Sequence, residues 1–148
     1  MTERQEATHI PTEEELLAMD ASEYMSPEQL AFFRERLRAE RDELMSSADR
    51  TLEQLRSQET VIEEGDRAQA DEEYALQLRL RDRERRLLNK IDEAMRRIEH
   101  GEYGFCQETG EPIGLRRLLA RPTATLSVEG QELKEQQEKG FQKDRESL

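Results

Sequence analysis

Residues 61–70, VIEEGDRAQA, interrupt two long segments whose apolar residues recur at helical spacing. Before the interruption, Leu30, Phe33, Leu37, Leu44, Ala48, Leu52 and Leu55 lie on one stripe, mostly three, four or seven positions apart. After it, Leu76, Leu80, Leu87, Ile91, Ala94 and Ile98 make a second. Each stripe is the natural packing partner of the other. If the chain folds back so that facing residue numbers add to about 128, Leu52 meets Leu76, Ala48 meets Leu80, Leu37 meets Ile91 and Leu30 meets Ile98. Two stripes read independently thus register under one offset, which predicts an antiparallel coiled-coil hairpin. Arms of about 35 residues at ~1.5 Å per residue would project roughly 50 Å. The turn places Glu63, Glu64 and Asp66 around Gly65 at the far end.

Local signals set the boundaries. Ser26-Pro27-Glu28-Gln29 supplies a cap, a proline suited to the first helical position and a capping-box glutamine. The second helix is expected from about Asp66 to Gly101, a glycine suited to end it. Residues 1–25 are acidic and without steady periodicity; Leu16, Leu17 and Met19 suggest at most a short helical turn in a tail that is either loose or part of a globular domain. From Gly101 the texture changes, with Gly104, Gly110, Pro112 and Gly114 close behind. Tyr103–Cys106 and Thr123–Val128 read as short strands, and Leu115–Ala120 as a helical turn stopped before Pro122. A polar helix is expected from about Glu129 to Lys143. The chain thus divides into a tail (1–25), a hairpin (26–100) and a turn-rich lobe with a final helix (101–148), and the fold class is mainly α.

Composition narrows the function. Apolar residues are 34% and charged residues 39%, with no Trp, which is too little for a large core but enough for a narrow coiled-coil seam. A formal charge of −12 argues against general nucleic-acid binding, because phosphate contacts need a basic surface. It suits a soluble, monomeric factor docking on a basic protein surface. The single cysteine, Cys106, excludes an internal disulfide and cannot alone build a multi-thiolate zinc site. No signal sequence or membrane-length apolar run is evident, so a cytoplasmic location is expected. No Ser/His/Asp arrangement or phosphate loop appears, so an independent enzyme is not expected.

The phrase DRAQADEEYALQLRLRDRERRLLNKI, followed by GEYGFCQETGEPIGLRRLLARPTATL, resembles the DksA family of bacterial transcription factors, and the likeness runs from about Ser26 to Lys139. The resemblance implies a coiled-coil hairpin beside a small lobe with a zinc-finger-like part. It also implies a partner, RNA polymerase, whose secondary channel the hairpin enters to shift open-complex lifetime. Such factors act with the alarmone ppGpp in the stringent response, at stable-RNA and amino-acid promoters.

Site residues follow from the same resemblance. Asp66 matches the key tip acid, Ala68 the small residue beside it, and Arg67 completes that Asp-Arg-Ala motif. Glu63 stands where a second Asp is usual, and Glu64-Gly65 where proline and an apolar residue are common, so this tip is the more flexible. Lys90, Arg121, Leu87 and Arg83 match ppGpp-binding positions, whereas Gln131 replaces a usual lysine and weakens any polyphosphate contact. The remaining cations of the second helix, Arg79, Arg86 and Arg97, share a line with Arg83 and Lys90 and read as a ladder pairing with acids across the hairpin. The four zinc positions read Cys106, Thr109, Ser127 and Gly130, a set that does not make a zinc site. A metal-independent lobe is therefore expected, held by Tyr103, Phe105, Ile113, Leu115, Leu118 and Leu126. Two rival functions keep the hairpin: a transcript-cleavage factor whose tip acids hold magnesium, and a coiled-coil adaptor without polymerase contact.

Overall fold

The structure, a computed structural model, describes residues 9–63 and 67–146, with the side chains of 67–69 and 146 outside that description. In order, the elements are α1 (Glu13–Ala18), a 3₁₀ turn (Ala21–Glu23), α2 (Pro27–Glu63), α3 (Arg67–Glu99), α4 (Leu115–Ala120) and α5 (Val128–Glu146). The chain forms two compact units, one of Arg36–Glu93 and one of Met1–Glu35 with Ala94–Leu148.

The unit Arg36–Glu93 is an antiparallel helical hairpin. Four side-chain hydrogen bonds fix its register: Arg41 Nε donates to Asp92 Oδ1 (2.9 Å), Thr51 Oγ1 to Glu84 Oε1 (2.7 Å), Gln58 Nε2 to Glu73 Oε2 (2.8 Å) and Tyr74 Oη to Glu59 Oε1 (3.1 Å). The residue numbers of these pairs add to 133, 135, 131 and 133, not to the 128 expected from the leucine stripes. The reason lies in α3. Its inward residues are Ala70, Tyr74, Gln77, Glu84, Leu88 and Ile91, spaced alternately four and three with Arg81 at the missing step. That heptad drifts about 20° per repeat against a straight helix, so the seam turns away from the line of Leu76, Leu80 and Leu87. Those leucines, expected to be inside, are 57%, 39% and 38% exposed. Leu37, Thr51 and Leu55 are buried on the facing arm.

The second unit is held by its termini as much as by the turn-rich segment. Thr12 caps α1 by accepting from Glu15 N, and Leu16 is fully buried, so residues 13–18 make a docked helix where the sequence suggests at most a turn in a tail. Ser26 Oγ accepts from Gln29 N (3.4 Å) at the head of α2, while Gln29 Oε1 accepts from Met25 N (2.9 Å), a capping box displaced by one residue. At the other end of the hairpin helices, Gly101 has φ 72°, Gly101 N donates to Ile98 O and Glu102 N to Arg97 O. This is a Schellman stop, which needs a left-handed residue and uses the glycine for it.

The two expected strands do not form; among the described residues there is one isolated bridge, Phe105 with Pro112. Gln107 N still donates to Thr125 O (2.9 Å), so the two segments lie together, but glycines at positive φ bend the first too sharply for a ladder. Buried and half-buried polar side chains take over. Arg97 Nη2 donates to Glu102 O (3.1 Å) and Phe105 O (2.8 Å), Arg117 Nε to Leu126 O (2.8 Å), and Tyr103 Oη to Pro122 O (2.7 Å). Tyr103, Ile113, Leu118 and Leu126 are buried as expected, joined by Leu16, Phe33 and Ala124. If α1 is an integral part of this core, Leu16→Ala should cost about 2–5 kcal/mol of stability in chemical denaturation. A loss below roughly 1 kcal/mol would mean that the helix merely rests on the surface.

Candidate functional site

Three groups of residues were singled out by sequence, and the structure treats them differently. At the tip, Asp66 lies outside the described residues, as do the side chains of Arg67 and Ala68. Glu63 is the last residue of α2 and is exposed. The described helices end at Glu63 and resume at Arg67.

The second group lies on the outer face of α3. At about 100° per residue, Arg79, Arg83, Arg86 and Lys90 fall nearly opposite the hairpin seam, with Leu76, Leu80 and Leu87 along one edge of the same face. All seven are exposed. The expected ladder does not form along this line: Arg41 pairs with Asp92 across the arms, but among the described residues no ion pair is found for Arg79, Arg83, Arg86 or Lys90. Arg97, aligned with them by sequence, is instead buried and donates to the lobe carbonyls described above. Leu87, Lys90 and Arg83 therefore share one open face of the hairpin unit. Arg121 is exposed at the C-cap of α4, in the other unit, and Gln131 bonds Glu135 Oε1 (3.1 Å) along α5.

The third group is brought together. Cys106 is buried, and its sulfur is hydrogen-bonded by the hydroxyls and backbone N–H groups of both Ser127 and Thr109. Ser127 precedes α5 and works in two directions, since its Oγ also accepts from Gly130 N (3.0 Å). Thr109 Oγ1 likewise accepts from Glu111 N (3.3 Å). A Cβ on Gly130 would fall well inside contact distance of Cys106 Sγ and 3.2 Å from Ser127 Oγ. Glycine is thus the residue that lets α5 approach the sulfur. Burial pushes the Cys106 thiol up, but the hydrogen bonds from Ser127 and Thr109 outweigh it and lower the group to about 6.

This arrangement does not fit zinc. Tetrahedral sites need thiolate, imidazole or carboxylate donors, and here one thiol faces two hydroxyls and a glycine whose position excludes a side chain. Among the described residues no three His, Cys, Asp or Glu side chains are grouped to hold a metal. His100 is exposed, with Nδ1 2.7 Å from Arg96 O, and contributes nothing to the cluster.

A helical hairpin joined to a finger-shaped lobe defines a narrow class of protein, and comparisons with known sequences agree. Residues 29–98 match the DnaK suppressor protein DksA N-terminal domain, and residues 101–136 match the prokaryotic dksA/traR C4-type zinc finger. A relative from Caulobacter vibrioides, named RNA polymerase-binding transcription factor DksA, is 43% identical over 136 residues, covering 91% of this chain and 96% of its own. The protein of the same name from Escherichia coli K12 is 42% identical over 118 residues, covering 79% and 78%. A solved structure of transcription factor DksA2 from Pseudomonas aeruginosa superposes with a TM-score of 0.80 at 49% identity, covering 86% of this chain and 99% of that one. The chain belongs to the DksA family.

Sequence reasoning missed Tyr24. Its hydroxyl donates to Gly104 O (2.5 Å) and accepts from Gly114 N (3.0 Å), and its ring meets Phe105 edge-on at 5.6 Å. It sits in the stretch read as a tail, where a lone aromatic carried no periodic signal.

Two outcomes test the cluster. Gly130→Ala should destabilise the lobe by about 1–3 kcal/mol through overpacking, and Cys106→Ala in the same chain should restore most of that loss. The thiol titrates near 6 when folded, below its unfolded value of about 8.5, so its contribution is complete above the unfolded value and disappears as pH falls through 6. Thermal midpoints of the unaltered protein should accordingly rise from pH 6 to pH 9 more steeply than those of Cys106→Ala.

Proposed function

We propose that this protein binds RNA polymerase, enters its secondary channel with the hairpin and regulates initiation by shifting the life of open promoter complexes. What carries the reading is the end-to-end likeness to relatives named RNA polymerase-binding transcription factor DksA, 43% identical over 91% of this chain. A long two-helix arm with an acidic turn suits such a task, since the arm supplies reach and the turn supplies negative charge. Asp66 is assigned the role of principal tip acid, with Glu63 beside it and with Arg67 and Ala68 following. The relatives are named as transcription factors, and no enzymatic role is assigned to this chain.

ppGpp is the proposed co-regulator, held where the protein meets polymerase. Lys90 and Arg83 offer exposed cations on one face of α3, Leu87 an apolar contact beside them, and Arg121 a bidentate fork. Gln131 contributes no charge, so the response to ppGpp should be weaker than with a lysine there. The lobe is proposed to work without zinc, its sulfur satisfied by hydroxyls, which would keep the factor active when zinc is scarce.

In vitro transcription from a stable-RNA promoter tests the core reading. Asp66→Asn should abolish most of the repression while leaving polymerase binding intact; repression at the unaltered level would sink the tip assignment. Lys90→Ala and Arg121→Ala should remove the added effect of ppGpp and leave the basal effect. Repression surviving prolonged chelation, with no zinc in purified protein by elemental analysis, is the expected outcome for the lobe. Shortened transcripts from paused complexes would instead favour a cleavage factor.

A further inference from the structure

The hairpin seam contains a contact that costs stability. Thr51 and Glu84 are each only 3% exposed, and Thr51 Oγ1 donates to Glu84 Oε1 across the arms at 2.7 Å. The same hydroxyl is 3.0 Å from Ser47 O, which it reaches along its own helix. Glu84 Oε2 has no partner and no exposure. A buried carboxyl with one oxygen unmatched is less stable than a packed apolar pair of similar volume. Leucines are available on α3 but stand outside, at positions 76, 80 and 87.

Those outer leucines define a competing arrangement. With facing numbers adding to about 128, Leu76 would meet Leu52 and Leu80 would meet Ala48, so leucines now exposed would enter the seam. In that arrangement Glu84 would lie across from Leu44 and Thr51 across from Gln77, so the carboxyl would lose its hydroxyl partner against an alkyl side chain. An unpaired polar group in the seam is penalised far more than a paired one is rewarded. We infer that the Thr51–Glu84 pair is a register lock: it selects this alignment of the two arms over the leucine-matched one, and so positions Glu63 and the acidic turn. Thr51 and Glu84 are positioning residues and touch nothing at the tip. The link to regulation rests on the polymerase-binding reading above; the register claim does not.

The test is carried out on the full chain in a Cys106→Ala background. Cysteine pairs at 58 and 73 report the observed register, and pairs at 52 and 76 report the alternative, each bridged by a short bis-maleimide. With Thr51 and Glu84 present, the 58/73 pair should bridge about tenfold faster than the 52/76 pair. In Thr51→Val with Glu84→Leu the two rates should converge, although the thermal midpoint holds or rises. Thr51→Ser, which keeps the hydroxyl, should preserve the preference. Equal rates in the chain that retains both residues, or an undiminished preference in the apolar double variant, would overturn the lock. Open-complex lifetimes measured on the same proteins separate the two claims. Lost selectivity with weakened regulation supports both, whereas intact selectivity with no effect of any variant on polymerase removes only the functional reading.

Discussion

Every feature placed along the hairpin depends on the heptad seam between α2 and α3. Two helices of 37 and 33 residues are far longer than propensity alone would stabilise, and neither has a broad apolar face. Their stability comes from a strip about two side chains wide, so any change in which residues face inward rotates everything outside it. The line of Leu76, Leu80 and Leu87 and the line of Arg79, Arg83, Arg86 and Lys90 are exposed because Gln77, Glu84 and Leu88 are not. Had the seam followed the leucines, the cations would lie nearer the interface and could pair across it.

The lobe solves a different problem. Structural zinc supplies about 10–16 kcal/mol to small metal-folded domains, and four hydrogen bonds to a sulfur do not approach that. The difference is met by burial and by tethering of carbonyls. Leu16 and Phe33 bring apolar surface from outside the finger-like segment, with Phe33 against Tyr103 at 5.6 Å. Arg97, Arg117 and Tyr103 then satisfy carbonyls of turns that have no strand partners. Cys106 and Ser127 tie the two segments together, while Arg97 and Arg117 reach in from α3 and α4 to hold the loop carbonyls.

Much of this was legible in the residues. Ser26-Pro27 and Gly101 announced the ends of the long helices because capping is local chemistry, decided within four or five positions. The hairpin was legible because two long periodic segments flanked one break. Its register was not, since reading α3 as a straight helix selects Leu76 and Leu80, and only supercoiling brings Gln77 and Glu84 inside. Apolarity misled there, as Thr51 and Glu84 became inward residues through a bond spanning 33 positions. Tyr24 was hidden for a related reason: one large side chain in an acidic stretch gives no period, and its hydroxyl is bonded to Gly104 O, 80 positions away. The strands failed because β-propensity in TATLSV cannot overcome a partner segment bent by Gly104 and Gly110.

The outward leucines bear on what the outer face of α3 offers a ligand. A side chain that contributes nothing to the seam keeps its apolar surface available, and Leu87 stands between Arg83 and Lys90 on α3, one turn from each. Cations without an acidic partner among the described residues also avoid the competition that an ion-pair ladder would impose on an incoming anion. Charge balance sharpens the point: in a chain of net charge −12, Arg79, Arg83, Arg86 and Lys90, which have no ion pair among the described residues, form a local exception on one helix face that attracts anions. An anionic ligand would therefore be drawn to this face of the hairpin unit by charge before any contact with a particular side chain is made.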